Sequence, residues 1–98
     1  MMRMHNPPHP GEFIYATYME PFDISCRNLA KHLDVAASTL NRILKMQSGI
    51  SPEMAVRLSR VLGRTPESWL LMQDNYDLWQ VKKTLKMSKL QKLDLSAA

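Results

Sequence analysis

The stretch LAKHLDVAASTLNRIL, residues 29–44, contains two runs with the spacing of short helices and very little sequence between them. Small or apolar residues of the first run recur at i, i+3, i+4 and i+7: Cys26, Leu29, Ala30 and Leu33. With Ser25 as its N-cap, this pattern predicts a helix of about 26–33. The apolar residues of the second run predict a helix of about 37–45: Leu40, Ile43 and Leu44. The chain must turn sharply between the two.

The residues in and before the turn predict a helix-turn-helix. Ala30 is small enough to allow a steep crossing of the two helices, and Val35 can fill the space beneath the corner. One residue of such a turn tends to take a positive φ angle, for which glycine is the usual choice. Here Asp34 stands at that position, and aspartate is one of the few other residues that tolerate it.

The outer face of the second of these helices has the residue types that read base edges in a DNA major groove: Ala37, Ser38, Asn41 and Arg42. Arginine can bind guanine through two hydrogen bonds, asparagine can bind adenine, serine can bind either, and alanine can contact a thymine methyl. A second group is better placed for DNA phosphates: Ser25, Arg27, Lys45 and Ser48. The alternative is that this face is only solvated surface.

The rest of the chain predicts three more helices and no convincing strand, and hence an all-α fold of five helices. We expect the first helix over about 12–19, ended by Pro21. Two further helices begin at the capping sequences Ser51-Pro52-Glu53 and Thr65-Pro66-Glu67, the last running over about 66–84. The expected organisation is an extended N-terminal arm (1–11), a helix-turn-helix domain (12–86) and a basic C-terminal tail (87–98).

The fifth helix carries apolar side chains around most of its circumference, more than one core-facing stripe requires. We therefore predict a dimer or partner interface on it, formed by aromatic and large apolar residues: Trp69, Leu70, Met72, Tyr76 and Trp79. A symmetric dimer would place two reading helices about 34 Å apart, one DNA turn, on a palindromic operator. The alternative is that both tryptophans belong to the chain's own core.

Charge is distributed unevenly along the 98 residues, whose net charge is +4. Segments 36–64 and 80–98 each carry +4, while 1–35 carries −1 and 65–79 carries −3. A polyanion could be approached by the central basic segment, whereas the acidic segment suits some other partner. Arg57, Arg60 and Arg64 form a stripe on the fourth helix, where we favour a solvated face over a DNA contact.

The same sequence argues against several other classes of function. No apolar run approaches the roughly 18 residues of a membrane span, and no signal segment opens the chain, so we expect a cytoplasmic protein. With one cysteine, Cys26, no paired-cysteine zinc site can form. His5, His9 and Glu12 lack a fourth ligand, so we expect no metal site. We also expect no cofactor and no enzyme activity, because no nucleophile stands beside a base.

Four blocks of the sequence resemble the HigA-type (VapI-type) antitoxins, a family within the lambda-repressor-like helix-turn-helix superfamily. They are HPGE at 9–12, the helix-turn-helix itself, SPEMAVRLSRVLGRTPESWLLMQ at 51–73 and YDLW at 76–79. The resemblance implies an antitoxin of a type II toxin-antitoxin system. Such a protein binds a small RelE-like, mRNA-cleaving ribonuclease of the HigB type and represses its own operon as an operator-bound dimer.

Two alternatives remain open from the sequence. The first is a stand-alone helix-turn-helix repressor without a toxin partner. The second is a protein-interaction module that has the helix-turn-helix shape but does not bind DNA.

Overall fold

The computed structural model describes residues 6–96, and within that range it contains helices and no strand. Helix α1 covers residues 10–22 as three consecutive stretches, Pro10–Ile14, Tyr15–Met19 and Glu20–Phe22. Four further helices are α2 (Cys26–Leu33), α3 (Ala37–Leu44), α4 (Pro52–Leu62) and α5 (Pro66–Thr84), and a short 3-10 turn follows at Met87–Lys89. The predicted five-helix, all-α fold with a helix-turn-helix at the second and third helices is confirmed.

The first helix is longer than its sequence indicates. It begins at Pro10, where the His9 ring caps it, and it continues through Pro21 to Phe22, so the prediction that Pro21 ends it is wrong. The middle stretch is π-helical, with the Glu20 N–H bonded to the Tyr15 carbonyl five residues earlier. A π turn is wider than an α turn, which relieves the clash that proline makes in a regular helix.

The N-terminal boundary of the domain also differs from the prediction. Pro10 and Gly11 are buried and helical, so they belong to the packed domain and not to an extended arm. A Cβ on Gly11 would overlap the carbonyl group of Ile43, with the Leu44 Cα only 2.9 Å away. Helix α1 can therefore lie directly on the last turn of α3 only because residue 11 has no side chain. Residues 1–5 of the predicted arm lie outside the described residues.

The core lies between the helices and is centred on Trp69 of α5. Trp69 is 0% exposed, and its indole N–H donates to the carbonyl of Gly63 over 2.9 Å. The largest other side chains with almost no exposed surface come from four helices: Ile14, Leu33, Leu40 and Leu58. Because α2 and α3 each contribute to this core, the orientation of α3 is set by packing on two neighbouring helices, α1 and α2.

Residues 6–96 contain neither a membrane-spanning helix nor a cluster of metal-binding side chains. No helix there has both the length and the apolar composition to cross a membrane. In the same range, no cluster of three or more histidine, cysteine, aspartate or glutamate side chains could hold a metal ion.

Candidate nucleic-acid interface

The corner between α2 and α3 has the backbone geometry that the sequence predicts. Asp34 adopts φ 58° and ψ 47°, the left-handed conformation. The chain then doubles back, and the Val35 N–H donates to the Ala30 carbonyl over 3.1 Å. Ala30 is only 2% exposed at this crossing, so a larger side chain at position 30 would have little room. The corner thus ends α2 and allows α3 to begin at Ala37.

A side chain from another helix braces this corner. The Arg57 guanidinium of α4 donates through Nη1 to the Leu33 carbonyl over 2.8 Å and to the Asp34 carbonyl over 3.2 Å. Its Nε and Nη2 pair with the carboxylate of Glu53, one turn earlier on α4. The preference for a merely solvated Arg57 is therefore wrong. Its bonds go to carbonyl groups at the end of α2, which α-helical hydrogen bonding leaves free.

The other two arginines of that stripe have different environments. Arg64 lies beyond the end of α4, with its guanidinium carbon 5.1 Å from the centre of the Phe13 ring and 5.5 Å from that of Trp69. Arg60 is exposed. The three arginines thus have different roles: Arg57 binds the end of α2, Arg64 makes cation–π contacts, and Arg60 is solvated.

All four predicted base-reading residues lie on the exposed side of α3: Ala37, Ser38, Asn41 and Arg42. On the opposite side of the same helix, Leu40 is 0% and Ile43 is 3% exposed. Ser38, Asn41 and Arg42 are spaced i, i+3 and i+4, so they share one helical face. Ala36, the N-cap of α3, makes no side-chain bond to the first turn. The first amides of the helix are thus open to an external acceptor.

The predicted phosphate-binding residues differ in how exposed they are and in how many hydrogen bonds they already make. Arg27 and Lys45 are exposed. The Ser25 hydroxyl already accepts from the Asn28 N–H at 3.1 Å as the cap of α2, but it can still donate its own proton. Ser48 is half-buried, and its N–H is 3.3 Å from the Arg42 carbonyl. Of the four, Ser48 is the least available for a new contact.

Two buried polar side chains connect α5 to its neighbours: His9 links the start of α1 to α5, and Gln73 links α5 to the loop after α3. His9 is 2% exposed, its Nδ1 accepts from the Gly11 N–H at 2.9 Å, and its ring meets the Tyr76 ring edge-on at 4.9 Å. Burial lowers the pKa of His9, against smaller opposing effects of the Asp77 and Glu12 carboxylates. Its imidazole is therefore neutral at neutral pH, as a ring that accepts at Nδ1 must be.

Gln73 is the second of these side chains. Its Oε1 accepts from the Ile50 N–H at 3.0 Å, and its Nε2 donates to the Asp77 carboxylate, also at 3.0 Å. The loop that follows α3 is thus tied to α5 through a buried amide. A Cβ at Gly49 would lie 2.8 Å from the same amide, so the loop runs close against it.

The residues predicted as an interface on α5 are not equally available. Trp69 is fully buried in the core, so its assignment to an interface is corrected: it has no surface left to offer a partner. Leu70 and Met72 are half-buried against the same core. Tyr76 is half-buried on His9, and Trp79 is half-buried with the Lys83 Nζ 4.0 Å from the centre of its ring. These four stay predictions.

Exposed large apolar side chains on α5 and at its C-cap include four that the predicted interface does not contain: Leu71, Leu78, Val81 and Leu85. They are 48 to 59% exposed. The signal that could have found them is the interval of seven residues between Leu71, Leu78 and Leu85, which keeps them on one side of a helix.

Comparison with known proteins agrees with this geometry. The family model described as helix-turn-helix matches residues 17–70. An HTH-type transcriptional regulator of Escherichia coli K12, YddM, is 36% identical over 92 residues, which are 94% of this chain and 97% of that protein. Virulence-associated protein I of Dichelobacter nodosus is 44% identical over 70 residues, 71% of this chain and 65% of that protein.

Solved structures give the same result. Antitoxin GraA superposes with a TM-score of 0.84 and 36% identity, over 90% of this chain and 98% of its own. Pseudomonas aeruginosa antitoxin HigA, solved with the higBA promoter, has a TM-score of 0.82 and 33% identity, over 93% and 99% of the two chains. The chain belongs to the HigA-type (VapI-type) antitoxin family.

The HPGE block has a structural role in this HigA-type fold. His9 caps α1, Pro10 occupies its first position where an N–H is not needed, and Gly11 permits the contact with α3. Glu12 is exposed in the first turn, at the positive end of the helix dipole. The block therefore packs the start of α1 against the last turn of α3.

Proposed function

We propose that this HigA-type protein represses its own operon by binding a palindromic operator as a dimer, and that it neutralises a HigB-like, RelE-like ribonuclease. In this proposal, Ala37, Ser38, Asn41 and Arg42 read bases in the major groove. The phosphate contacts come from the residues around them: Ser25, Arg27, Lys45 and Ser48. Both activities take place in the cytoplasm, and neither requires a cofactor.

The observation that carries the DNA-binding proposal is the division of α3 into two faces. Its apolar face packs on two neighbouring helices, α1 and α2, while Ser38, Asn41 and Arg42 are exposed together on the other side. The brace from Arg57 to the corner keeps that orientation at the point where the chain enters α3. A helix whose backbone is already held in place can enter a groove with little further loss of backbone conformational entropy.

The relatives support both parts of the proposal. The P. aeruginosa HigA structure contains the higBA promoter, which makes operator binding a property of a protein of the same fold and 33% identity. GraA and HigA are both named antitoxins, which supports a toxin partner here.

A matched pair of variants tests the DNA-binding part. Arg42→Ala removes a base contact, so it should weaken operator binding by about 1 to 3 kcal/mol and relax the preference at one base position. Lys45→Ala removes a phosphate contact, so it should weaken all sequences alike and lower the salt dependence by about one ion. Gel shifts at several salt concentrations, on the upstream DNA and a scrambled duplex, measure both effects.

The proposal is contradicted if Arg42→Ala and Lys45→Ala have the same effect on operator and scrambled DNA. Equal losses on operator and scrambled DNA for Arg42→Ala would mean that Arg42 does not read a base. Wild-type protein that fails to shift its own upstream DNA at low salt would favour the interaction module.

The toxin-binding part needs a separate test. Co-production with the product of the adjacent small reading frame should yield a stable complex and restore the growth that this product alone inhibits. The E. coli relative is named a transcriptional regulator, which favours a stand-alone repressor as the second candidate. Absence of an adjacent toxic product, together with specific operator binding, would select that candidate.

A further inference from the structure

One side of α1 is exposed over much of its length. Ala16 follows Glu12 by four residues, so the two lie on one side of the helix. Glu20 follows Tyr15 by one turn of the π stretch, in which the Glu20 N–H bonds to the Tyr15 carbonyl. All four of these residues are exposed, whereas Ile14, on the opposite side, is 0% exposed in the core. We call Glu12, Tyr15, Ala16 and Glu20 the outer face of α1.

The outer face of α1 is acidic. Residues 10–23 contain Glu12, Glu20 and Asp23 and no lysine, arginine or histidine, which gives this segment a net charge of −3. Within residues 6–96 these carboxylates form no ion pair, and the pair that does form joins Arg57 to Glu53 on α4. Three carboxylates without cations beside them repel the phosphates of DNA. The outer face of α1 therefore suits a partner whose surface is basic.

Tyr15 gives this acidic face an apolar centre. Phe13 and Tyr18, on the same helix, pack with the buried ring of Trp69. Tyr15 is instead 50% exposed, and its ring stacks on no other aromatic ring of residues 6–96. A tyrosine surrounded by polar and charged groups is the usual arrangement at the centre of a protein–protein contact, where the ring is buried and the charges form the rim.

We propose that the ribonuclease of the proposed function, on which this inference rests, docks on the outer face of α1. Tyr15 enters the centre of the contact, and Glu12 and Glu20 pair with lysine or arginine side chains of the enzyme on either side of it. An enzyme that holds an RNA strand needs positive charge to bind the phosphates. Such a surface is complementary to a helix that has three carboxylates and no cation.

Neutralising the two glutamates tests the charge complementarity. The double variant Glu12→Gln, Glu20→Gln should bind the purified product of the adjacent small reading frame roughly five- to thirtyfold more weakly in low salt. The difference from wild-type protein should shrink as salt is added, because salt screens exposed charges. Fluorescence anisotropy of the labelled enzyme measures the affinity.

The matched control removes two exposed acidic groups from α5. Glu67→Gln, Asp74→Asn changes the net charge of the protein by the same amount and should alter the affinity by less than about threefold. Equal losses in the two double variants would show an effect of net charge alone. That result, or wild-type affinity in the α1 double variant, would overturn the proposal.

The apolar centre is tested with two side chains of similar exposure. Tyr15→Ala should weaken binding of the same enzyme at least tenfold, because it removes the ring that the contact buries. Tyr15→Phe keeps the ring and should bind within about threefold of wild-type protein. Val56→Ala, at a position on α4 that is 51% exposed, should bind within about twofold. Wild-type affinity in Tyr15→Ala would show that the contact lies elsewhere.

Operator gel shifts and the mass in solution separate this surface from the other proposed contacts. The α1 variants should shift the upstream DNA within about twofold of the wild-type concentration and keep the wild-type mass, since none of the changed residues belongs to the proposed reading face. Circular dichroism confirms that they fold. Loss of DNA binding or of the wild-type mass in Tyr15→Ala would assign the outer face of α1 to those contacts and overturn the proposal.

The wild-type measurement distinguishes failure of this docking surface from failure of the function. If wild-type protein does not bind the enzyme, the toxin-binding part of the proposed function is contradicted and the docking surface falls with it. If wild-type protein and the α1 variants bind the enzyme equally, the proposed function stands and only the docking surface is contradicted.

Discussion

Asp34 shows how one residue limits the stability of the corner while leaving its shape intact. Its left-handed conformation costs a non-glycine residue roughly 1 to 2 kcal/mol, less for aspartate than for residues without a short polar side chain. The conformation was predictable because the short interval between two apolar runs permits only a tight turn. The carbonyl groups around Asp34 are used by Arg57, which offsets part of this cost.

Two substitutions at this position should change stability in opposite directions. Asp34→Gly removes the steric cost and should raise the free energy of unfolding by a few tenths to about 1 kcal/mol. Asp34→Ala retains a Cβ without the polar group and should lower it by about 1 kcal/mol. Urea denaturation of both variants measures the difference. A less stable glycine variant would mean that the aspartate side chain itself holds the corner.

Arg57 marks the limit of what can be predicted at the scale of single residues. In the sequence, its spacing from Arg60 and Arg64 is that of an ordinary solvated helical stripe, and nothing local indicates that Arg57 reaches 24 positions back to Leu33. That contact depends on how α4 lies across the end of α2. It is a property of tertiary packing and has no sequence period of its own.

Replacing Arg57 should loosen the corner. Arg57→Met keeps the apolar stem but leaves the Leu33 and Asp34 carbonyls without their donor, so we expect a loss of about 1 to 2 kcal/mol in unfolding free energy. Arg60→Met, on the exposed side of the same helix, should cost less than about 0.5 kcal/mol. Denaturant titrations compare the two. Equal costs would show that the hydrogen bonds to the corner add nothing to stability.

At the scale of elements, the helix starts were more predictable than the helix ends. Ser51 and Thr65 cap α4 and α5 as their Ser-Pro-Glu and Thr-Pro-Glu sequences indicate, because each cap depends on residues within one turn. The end of α1 could not be predicted in the same way. A local π stretch there carries the helix past Pro21, and a proline alone gives no sign of that.

The contact of α1 with α3 and α5 contains a histidine, which should make stability depend on pH. The pKa of His9 is lowered by burial, so below about 6.5, the ordinary histidine value, the unfolded chain takes up a proton that the folded chain resists. Stability is therefore complete above that pH and is lost as the pH falls through the lowered pKa of the folded state. The protonated ring would also lose the Nδ1 acceptor that caps α1.

This pH dependence can be assigned by substitution. His9→Asn retains an acceptor at the cap but does not titrate, so the loss of unfolding free energy between about pH 8 and about pH 5.5 should become smaller than in wild-type protein. His32→Asn, at an exposed position on α2, should leave the loss nearly unchanged. Urea denaturation at several pH values measures it. An unaltered pH dependence in the His9 variant would exclude His9 as its source.

At the scale of the whole molecule, the number and order of helices and the outward face of α3 could be predicted, because both follow from local periodicity. The division of α5 into buried and free faces could not. Apolar residues surround that helix, so periodicity alone does not identify the side that meets the core. The contacts of His9 and Gln73 settle which side is inward. Leu71, Leu78 and Leu85 are exposed on the other side.

The central claim is that two copies of α3 read bases in successive major grooves. Dimethyl sulfate modifies guanine N7 in the major groove, so a protection experiment on the chain's own upstream DNA tests this claim directly. We predict two protected clusters about ten base pairs apart, related by a two-fold axis, with protection of one guanine in each cluster lost in Arg42→Ala. Absence of protected guanines under conditions of specific binding, or protection unchanged by Arg42→Ala, would contradict the account.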